Sequence, residues 1–231
     1  MGMEQRLIAK ARAVPRPQKP GDHRCRGSLI QHHPGTAQQL SLSDDSVLAE
    51  IRYGPEHRFD PADPRRIDVG TPPIGADGRE LWHLPGGIAD RGWCGNIGFA
   101  AGGGYLFAHI LEHEAPDADL ALVARRAYRQ LLAFVRSSPC RQLHRIWNYV
   151  ERINDHERGI ERYQAFCKGR AEAFTEAGIH PRDFPAATAI GSRAAGLSVY
   201  LLASSRSGSP VENPRQLSAY RYPPPYGPRP P

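Results

Sequence analysis

Between residues 116 and 177 the hydrophobic period changes twice, and this limits the fold more than any other feature of the chain. Leu120, Val123, Ala127, Leu131 and Phe134 recur at spacings of three and four, the stripe of a helix buried on one side. The stripe predicts a helix over about 116–137, with Asp117 and Asp119 in its first turn, where the helix dipole favours acids, and Pro139 ending it. Residues 143–153 (LHRIWNYVERI) alternate instead. Leu143, Arg145, Trp147 and Tyr149 share one face of a strand; His144, Ile146, Asn148 and Val150 share the other. The longer period returns over about 159–177 through Ile160, Tyr163, Phe166, Cys167, Ala171 and Phe174, with Gly178 as the cap. Two one-sided helices separated by a strand imply an α+β fold, with both helices packed on one face of a mixed sheet.

Shorter runs supply the rest of that sheet. Val47–Tyr53 (VLAEIRY) and 80–84 (ELWHL) read as strands around a loop rich in Pro, Gly and Asp. The runs 94–101 and 105–112 flank Gly102, Gly103 and Gly104 and suggest a hairpin. Strands at 186–191, 197–205 and 217–222 complete the reading. The glycine-rich run 95–104 lacks both the G-K-[ST] of a phosphate loop and the strand–glycine–helix passage of a dinucleotide site.

The two ends differ in composition from the body. Residues 1–40 hold seven basic side chains against two acids, so they carry +5 of the formal +6. Residues 1–42 read as a disordered basic arm, and the near-neutral body, 43–210, offers no nucleic-acid face. The longest apolar runs, 105–111 and 197–203, are too short to cross a bilayer, so no membrane partner and a cytoplasmic location are expected. Cys25, Cys94, Cys140 and Cys167 are widely spaced, as free thiols would be. Pro214, Pro223, Pro224, Pro225, Pro228, Pro230 and Pro231 make 211–231 an extended connector.

His109-Ile-Leu-Glu-His113 matches a zinc-hydrolase string, H-x-x-E-H. On a strand the two histidines would sit about 13 Å apart at ~3.3 Å per residue, too far for one metal. No metal and no cofactor are therefore expected. Cys167, mid-helix on the apolar stripe, reads as a packed thiol. Asn148, between two aromatics in a strand, needs amide partners when buried and reads as a structural hydrogen-bonding group. The densest set of specific polar groups is near the C-terminus. Tyr220, Arg221, Tyr222, Tyr226 and Arg229 combine phenols and guanidiniums, which suit an anionic, ring-bearing ligand, although a proline-rich turn and an edge strand would also give this pattern.

At these residues the chain resembles the FkbO-type chorismatases. The similar segments are Arg145-Ile-Trp-Asn-Tyr149, Ile153-Asn154, Glu161-Arg-Tyr-Gln-Ala-Phe-Cys-Lys-Gly-Arg170, Glu212-Asn-Pro-Arg-Gln216, Ser218-Ala-Tyr-Arg-Tyr-Pro223 and Tyr226-Gly-Pro-Arg229. Val150-Glu151 departs from the family, which tends to have proline after the aromatic strand. The resemblance implies RidA/YjgF-like (chorismate mutase-like) domains. This chain would hold the first of them and the connector, and would lack a second domain that supplies the general acid. It implies cleavage of the enolpyruvyl ether of chorismate, releasing pyruvate and a cyclohexadiene diol acid or a hydroxybenzoate. Tyr220, Arg221, Tyr222, Tyr226 and Arg229 would face the substrate. A non-catalytic RidA-like scaffold or assembly domain is the alternative. In either case a face left by the missing domain would favour self-association or pairing.

Overall fold

The computed structural model of the chain describes residues 31–34, 45–73, 78–84, 86–115, 118–209, 211 and 215. Thirteen strands, two α-helices and a short 3-10 turn form among them. The central layer is a six-stranded sheet in the order β12-β9-β13-β8-β7-β6. Its strands are β6 (Asp90–Cys94), β7 (Ile97–Gly102), β8 (Tyr105–Glu112), β9 (Gln142–Glu151), β12 (Ala186–Ser192) and β13 (Leu197–Ser204). All neighbours run antiparallel except β12 and β9, which are parallel. Helices α1 (Leu120–Ser137) and α2 (Arg162–Glu176) pack together on one face. The mixed sheet with both helices on one side is as the hydrophobic periods predict.

The other face carries a layer that the sequence reading did not separate. It is a five-stranded sheet in the order β1-β5-β2-β4-β3. The strands are β1 (Gln31–Pro34), β2 (Val47–Tyr53), β3 (Arg58–Phe59), β4 (Arg66–Val69) and β5 (Arg79–His83). Two expectations are corrected here. The segment between Val47–Tyr53 and 80–84 is not all loop, because β3 and β4 lie in it. Gln31–Pro34 does not belong to a disordered arm, since it pairs antiparallel with β5. The rest of the arm, 1–30 and 35–42, lies outside the described residues, as do 216–231 and the strand expected at 217–222.

Alternation assigns each side chain of the central strands to one of two cores. On β8, Leu106, Ala108 and Ile110 face the helices while Phe107 faces the second sheet. On β13, Val199, Leu201 and Ala203 face the helices and Tyr200 the second sheet. A strand covered on both sides reads as a continuous apolar run, as β8 and β13 do. Burying Phe107 completely contributes roughly 1.5–3 kcal/mol relative to leaving it in water.

The helix starts fall later than the stripes suggest. α1 begins at Leu120, and Asp119 is its N-cap, with the carboxylate accepting the Ala121 N–H at 2.8 Å. Pro116 and Asp117 lie outside the described residues. α2 begins at Arg162 because 156–161 form a two-residue hairpin: β10 (His156–Glu157) pairs with β11 (Ile160–Glu161). Its loop residues, Arg158 and Gly159, both have positive φ, 54° and 83°, as the twist of such a turn demands. Ile160 is thereby exposed, while Arg162 and Arg170 join the buried side of α2. The expected glycine hairpin does form, with Gly103 and Gly104 as its loop between β7 and β8.

Candidate functional site

Tyr220, Arg221, Tyr222, Tyr226 and Arg229 all lie outside the described residues. The described residues place three other polar constellations on the fold. The first is the zinc-like string. β8 puts Glu112 on the helix side, where Arg126 holds it at 2.7 Å and Asn96 and Gln130 each donate to it at 3.1 Å. His109 points the opposite way and is fully buried. Its Nε2 lies 3.0 Å from the Pro64 carbonyl, tying the central sheet to the second layer. The ring lies over Gly98, its partner on β7, where a Cβ would come within 2.3 Å of Nε2. Burial pushes the His109 imidazole down to about 4. His113 is exposed, beyond the end of β8. The strand thus points the histidine and the glutamate to opposite faces.

The second constellation lies between the two sheets. Trp147, Tyr149 and Tyr200 stack: Trp147 and Tyr200 have centroids 5.0 Å apart at 16°, and Tyr149 and Tyr200 are 6.0 Å apart at 19°. Arg145 covers the outer face of this wall, 5.0 Å from the Trp147 ring centroid. The phenols of Tyr149 and Tyr200 meet at 3.4 Å. Tyr53 donates to Glu80 at 3.0 Å, and the Trp82 indole N–H donates to the other carboxylate oxygen. Burial raises the Tyr200 and Tyr53 phenols well above the ordinary tyrosine range, so both stay protonated. His57 borders the cluster, its ring 6.5 Å from that of Tyr149. Nδ1 accepts the Gly70 N–H at 2.9 Å, and burial lowers the imidazole to about 4. This arrangement fixes hydrogen bonds between layers. It supplies neutral donors and a carboxylate that already accepts two of them.

The third is an open groove of about 550 Å³ where β9 and β12 end and β13 begins, lined by Gly70, Pro72, Arg152, Asn154, Asp155 and Arg193. Arg152 takes a left-handed backbone, φ 45°, and its guanidinium reaches Glu157 at 3.0 Å and Asp155 at 3.5 Å. Arg193 is exposed and makes no ion pair among the described residues. One free guanidinium attracts an anion but cannot fix the orientation of two carboxylates. Apart from Asn154, in the Ile153-Asn154 segment, these groups went unnoticed in the sequence because they are brought together across long separations. The available signal was polar residues at one end of parallel strands.

The remaining sequence-predicted residues are structural. Asn148 is buried; its carbonyl accepts the Tyr128 phenol at 2.7 Å and its amide donates to the Thr188 carbonyl at 2.8 Å. Cys167 is a buried free thiol, raised by desolvation. No group of histidine, cysteine or acidic side chains with metal-site geometry occurs among the described residues. No helix is long and apolar enough to cross a membrane.

The same layers occur in known proteins. A chorismatase crystal structure superposes with a TM-score of 0.75 at 33% identity, covering 87% of this chain and 62% of that one. A 3-hydroxybenzoate synthase of Streptomyces hygroscopicus is 39% identical over 155 residues, which are 66% of this chain and 44% of the relative. A chorismatase of the same organism is 36% identical over 197 residues, 81% of this chain and 55% of the relative. The chain therefore spans about half the length of these curated relatives. Residues 80–203, from β5 almost to the end of β13, match the family described as "Chorismatase FkbO/Hyg5-like, N-terminal". The chain belongs to the FkbO/Hyg5-like chorismatase family, whose N-terminal region it carries.

Proposed function

We propose that this chain is the N-terminal part of a chorismate-cleaving enzyme. The observation that carries the reading is the family match over 80–203, joined to a shared three-dimensional arrangement over most of the chain. Chorismate is a dianion with an enolpyruvyl ether. A protonated carboxylic acid gives its proton to the methylene carbon, and the resulting cationic carbon is captured by water or within the substrate. With water, the ether then collapses to pyruvate and a cyclohexadiene diol acid. Capture within the substrate leads to a hydroxybenzoate. In this proposal the general acid lies in the region of the relatives that this chain does not span. Tyr220, Arg221, Tyr222, Tyr226 and Arg229 hold the ring hydroxyl and the carboxylates. The domain is of the RidA/YjgF type, the enzyme works in the cytoplasm, and the face turned toward the unspanned region self-associates in this chain alone.

The test is pyruvate release from chorismate, measured by coupled lactate dehydrogenase. It is run on the chain alone and on the chain joined to the C-terminal half of the Streptomyces chorismatase. Pyruvate from the joined protein, reduced at least tenfold in its Tyr222→Phe and Arg229→Met variants, is the expected result. A joined protein that folds and binds no chorismate would leave the scaffold alternative standing and overturn the enzymatic one.

A further inference from the structure

The chain leaves β13 through Ser205-Arg206-Ser207-Gly208-Ser209, a composition that by itself gives a flexible linker. All five residues are exposed. The segment is nevertheless held in place. The Ser205 N–H donates to the Gly104 carbonyl at 2.9 Å. The Ser204 hydroxyl donates to the Arg206 carbonyl at 2.8 Å and accepts the Arg206 N–H at 3.1 Å. The His144 imidazole reaches the same hydroxyl, with Nε2 2.7 Å from Oγ. Gly208 lies against that ring, where a Cβ would come within 2.7 Å of Nδ1.

His144 is free for this because β9 is bulged. Leu202 of β13 pairs with Arg145, and the next residue, Ala203, pairs with Leu143, so His144 has no partner on β13. Pairing with β12 begins only at Arg145. Leu143 and Ile146, three residues apart, both pack beneath the helices, which a regular strand does not allow. Leu143 therefore lies across the sheet from Trp147, whose face simple alternation assigns it. A bulge of this kind re-aims one side chain and leaves its backbone unpaired.

The hydrogen bonds also assign the protons. A hydroxyl has one proton, and the Arg206 carbonyl, which can only accept, takes it. His144 Nε2 must then carry a proton and donate it to Ser204, and in the neutral ring Nδ1 is bare. Burial lowers the His144 imidazole below its ordinary value, so the neutral ring is the form present at pH 7. With one bond given and two received, the Ser204 oxygen is saturated. The pair is a fastening, not a nucleophile with its base.

We propose that His144 is a positioning residue: through Ser204 and Gly208 it clamps the chain where it leaves the sheet and so fixes where the connector starts. The clamp stands on the geometry alone. Its part in activity rests on the chorismate-cleaving function proposed above, in which Tyr220, twelve residues past Gly208, is the first of the ligand-holding groups. A fixed exit reduces the entropy lost when those groups gather around a ligand, so it acts on KM and not on kcat.

Trypsin acting on the full chain reads the clamp. Arg206 is exposed, so a free linker would be cut after it as fast as an unfolded peptide, whereas the clamped chain should be cut roughly tenfold more slowly. His144→Ala should abolish that protection. Gly208→Val, which cannot keep both chain and ring in place, should do the same, and His144→Gln, which keeps an N–H donor, should retain most of it. Hydrogen exchange should show the β13 amides still protected in all three; where β13 loosens in His144→Ala, Gly208→Val decides. Rapid cutting at Arg206 in the unaltered chain, or protection that survives both His144→Ala and Gly208→Val, would overturn the proposal. In the chain joined to the C-terminal half of the Streptomyces chorismatase, His144→Ala should raise KM for chorismate about threefold or more with kcat unchanged, and His144→Gln should not. An unchanged KM beside a lost clamp would overturn the positioning role. A joined protein that is inactive with His144 in place would count against the proposed function alone, and the trypsin result would still decide the clamp.

Discussion

Arg162 and Arg170 sit on the same buried side of α2, and each is about 2% exposed or less. Their surroundings differ. Arg162 forks to Glu114 at 2.8 Å, reaches Glu157 at 2.6 Å and donates to the Glu151 carbonyl. Arg170 has no carboxylate partner among the described residues and lies over Phe174, Phe184 and Tyr128 at 5.1, 5.2 and 5.9 Å. A buried charge that loses its partners destabilises far more than one replaced by an apolar side chain of similar length. Arg162→Met should therefore cost about 3–5 kcal/mol in urea unfolding, because two carboxylates lose their cation. Arg170→Met, which keeps the contact with the rings, should be neutral or stabilising. Equal losses would refute the contrast. His109 adds a pH dependence. Its imidazole titrates near 4 when folded and near 6.5 when unfolded, so the unfolded chain binds the extra proton first. Stability is complete above about pH 6.5 and falls as pH drops toward 4, by about 3 kcal/mol at most from this residue. His109→Gln, which retains a donor for the Pro64 carbonyl, should make that acid limb shallower in urea midpoints measured from pH 7 to 4, leaving the part due to His57. An unchanged limb would assign the acid sensitivity elsewhere.

At Gly169 the backbone of α2 lies close against α1. A Cβ there would lie 2.0 Å from the Ala121 carbonyl oxygen of α1, a backbone atom that cannot swing away. Helix propensity alone favours Gly169→Ala by up to about 1 kcal/mol. The clash outweighs it, and thermal unfolding should show a loss of roughly 2 kcal/mol. A stabilised variant would mean that the helices can separate without cost. Both helices were legible because their apolar stripes persist over three turns or more, and β9, β12 and β13 because alternation or an unbroken apolar run marks them. The second sheet was harder to read. β3 and β4 are two and four residues long, too short for any period to emerge, and Arg52, Asp68, Arg66 and Glu50 give them a polar outer face. What holds these strands is pairing with partners distant in sequence, which a local reading does not capture. The burial of Arg162 was missed for a related reason: its carboxylates come from just past the end of β8 and from the β10–β11 hairpin. The ligand-facing residues expected from the sequence, Tyr220 through Arg229, lie outside the described residues, and the groups seen between the sheets serve the packing of the layers.

For the molecule as a whole, the order in which the strands are made matters. β13 occupies the middle of the central sheet, between β9 and β8, yet it is the last of the thirteen described strands. Its Tyr200 completes the aromatic wall beneath the second sheet, and its Val199, Leu201 and Ala203 complete the floor beneath the helices. While the ribosome is still upstream of residue 204, neither core can close, and β8 and β9 each present an open edge. The nascent chain must therefore keep the apolar strands among β2 to β12 from aggregating until one eight-residue strand arrives. Slow, late and all-at-once acquisition of protease resistance during synthesis is the consequence, with chaperones needed most in the interval just before that strand emerges.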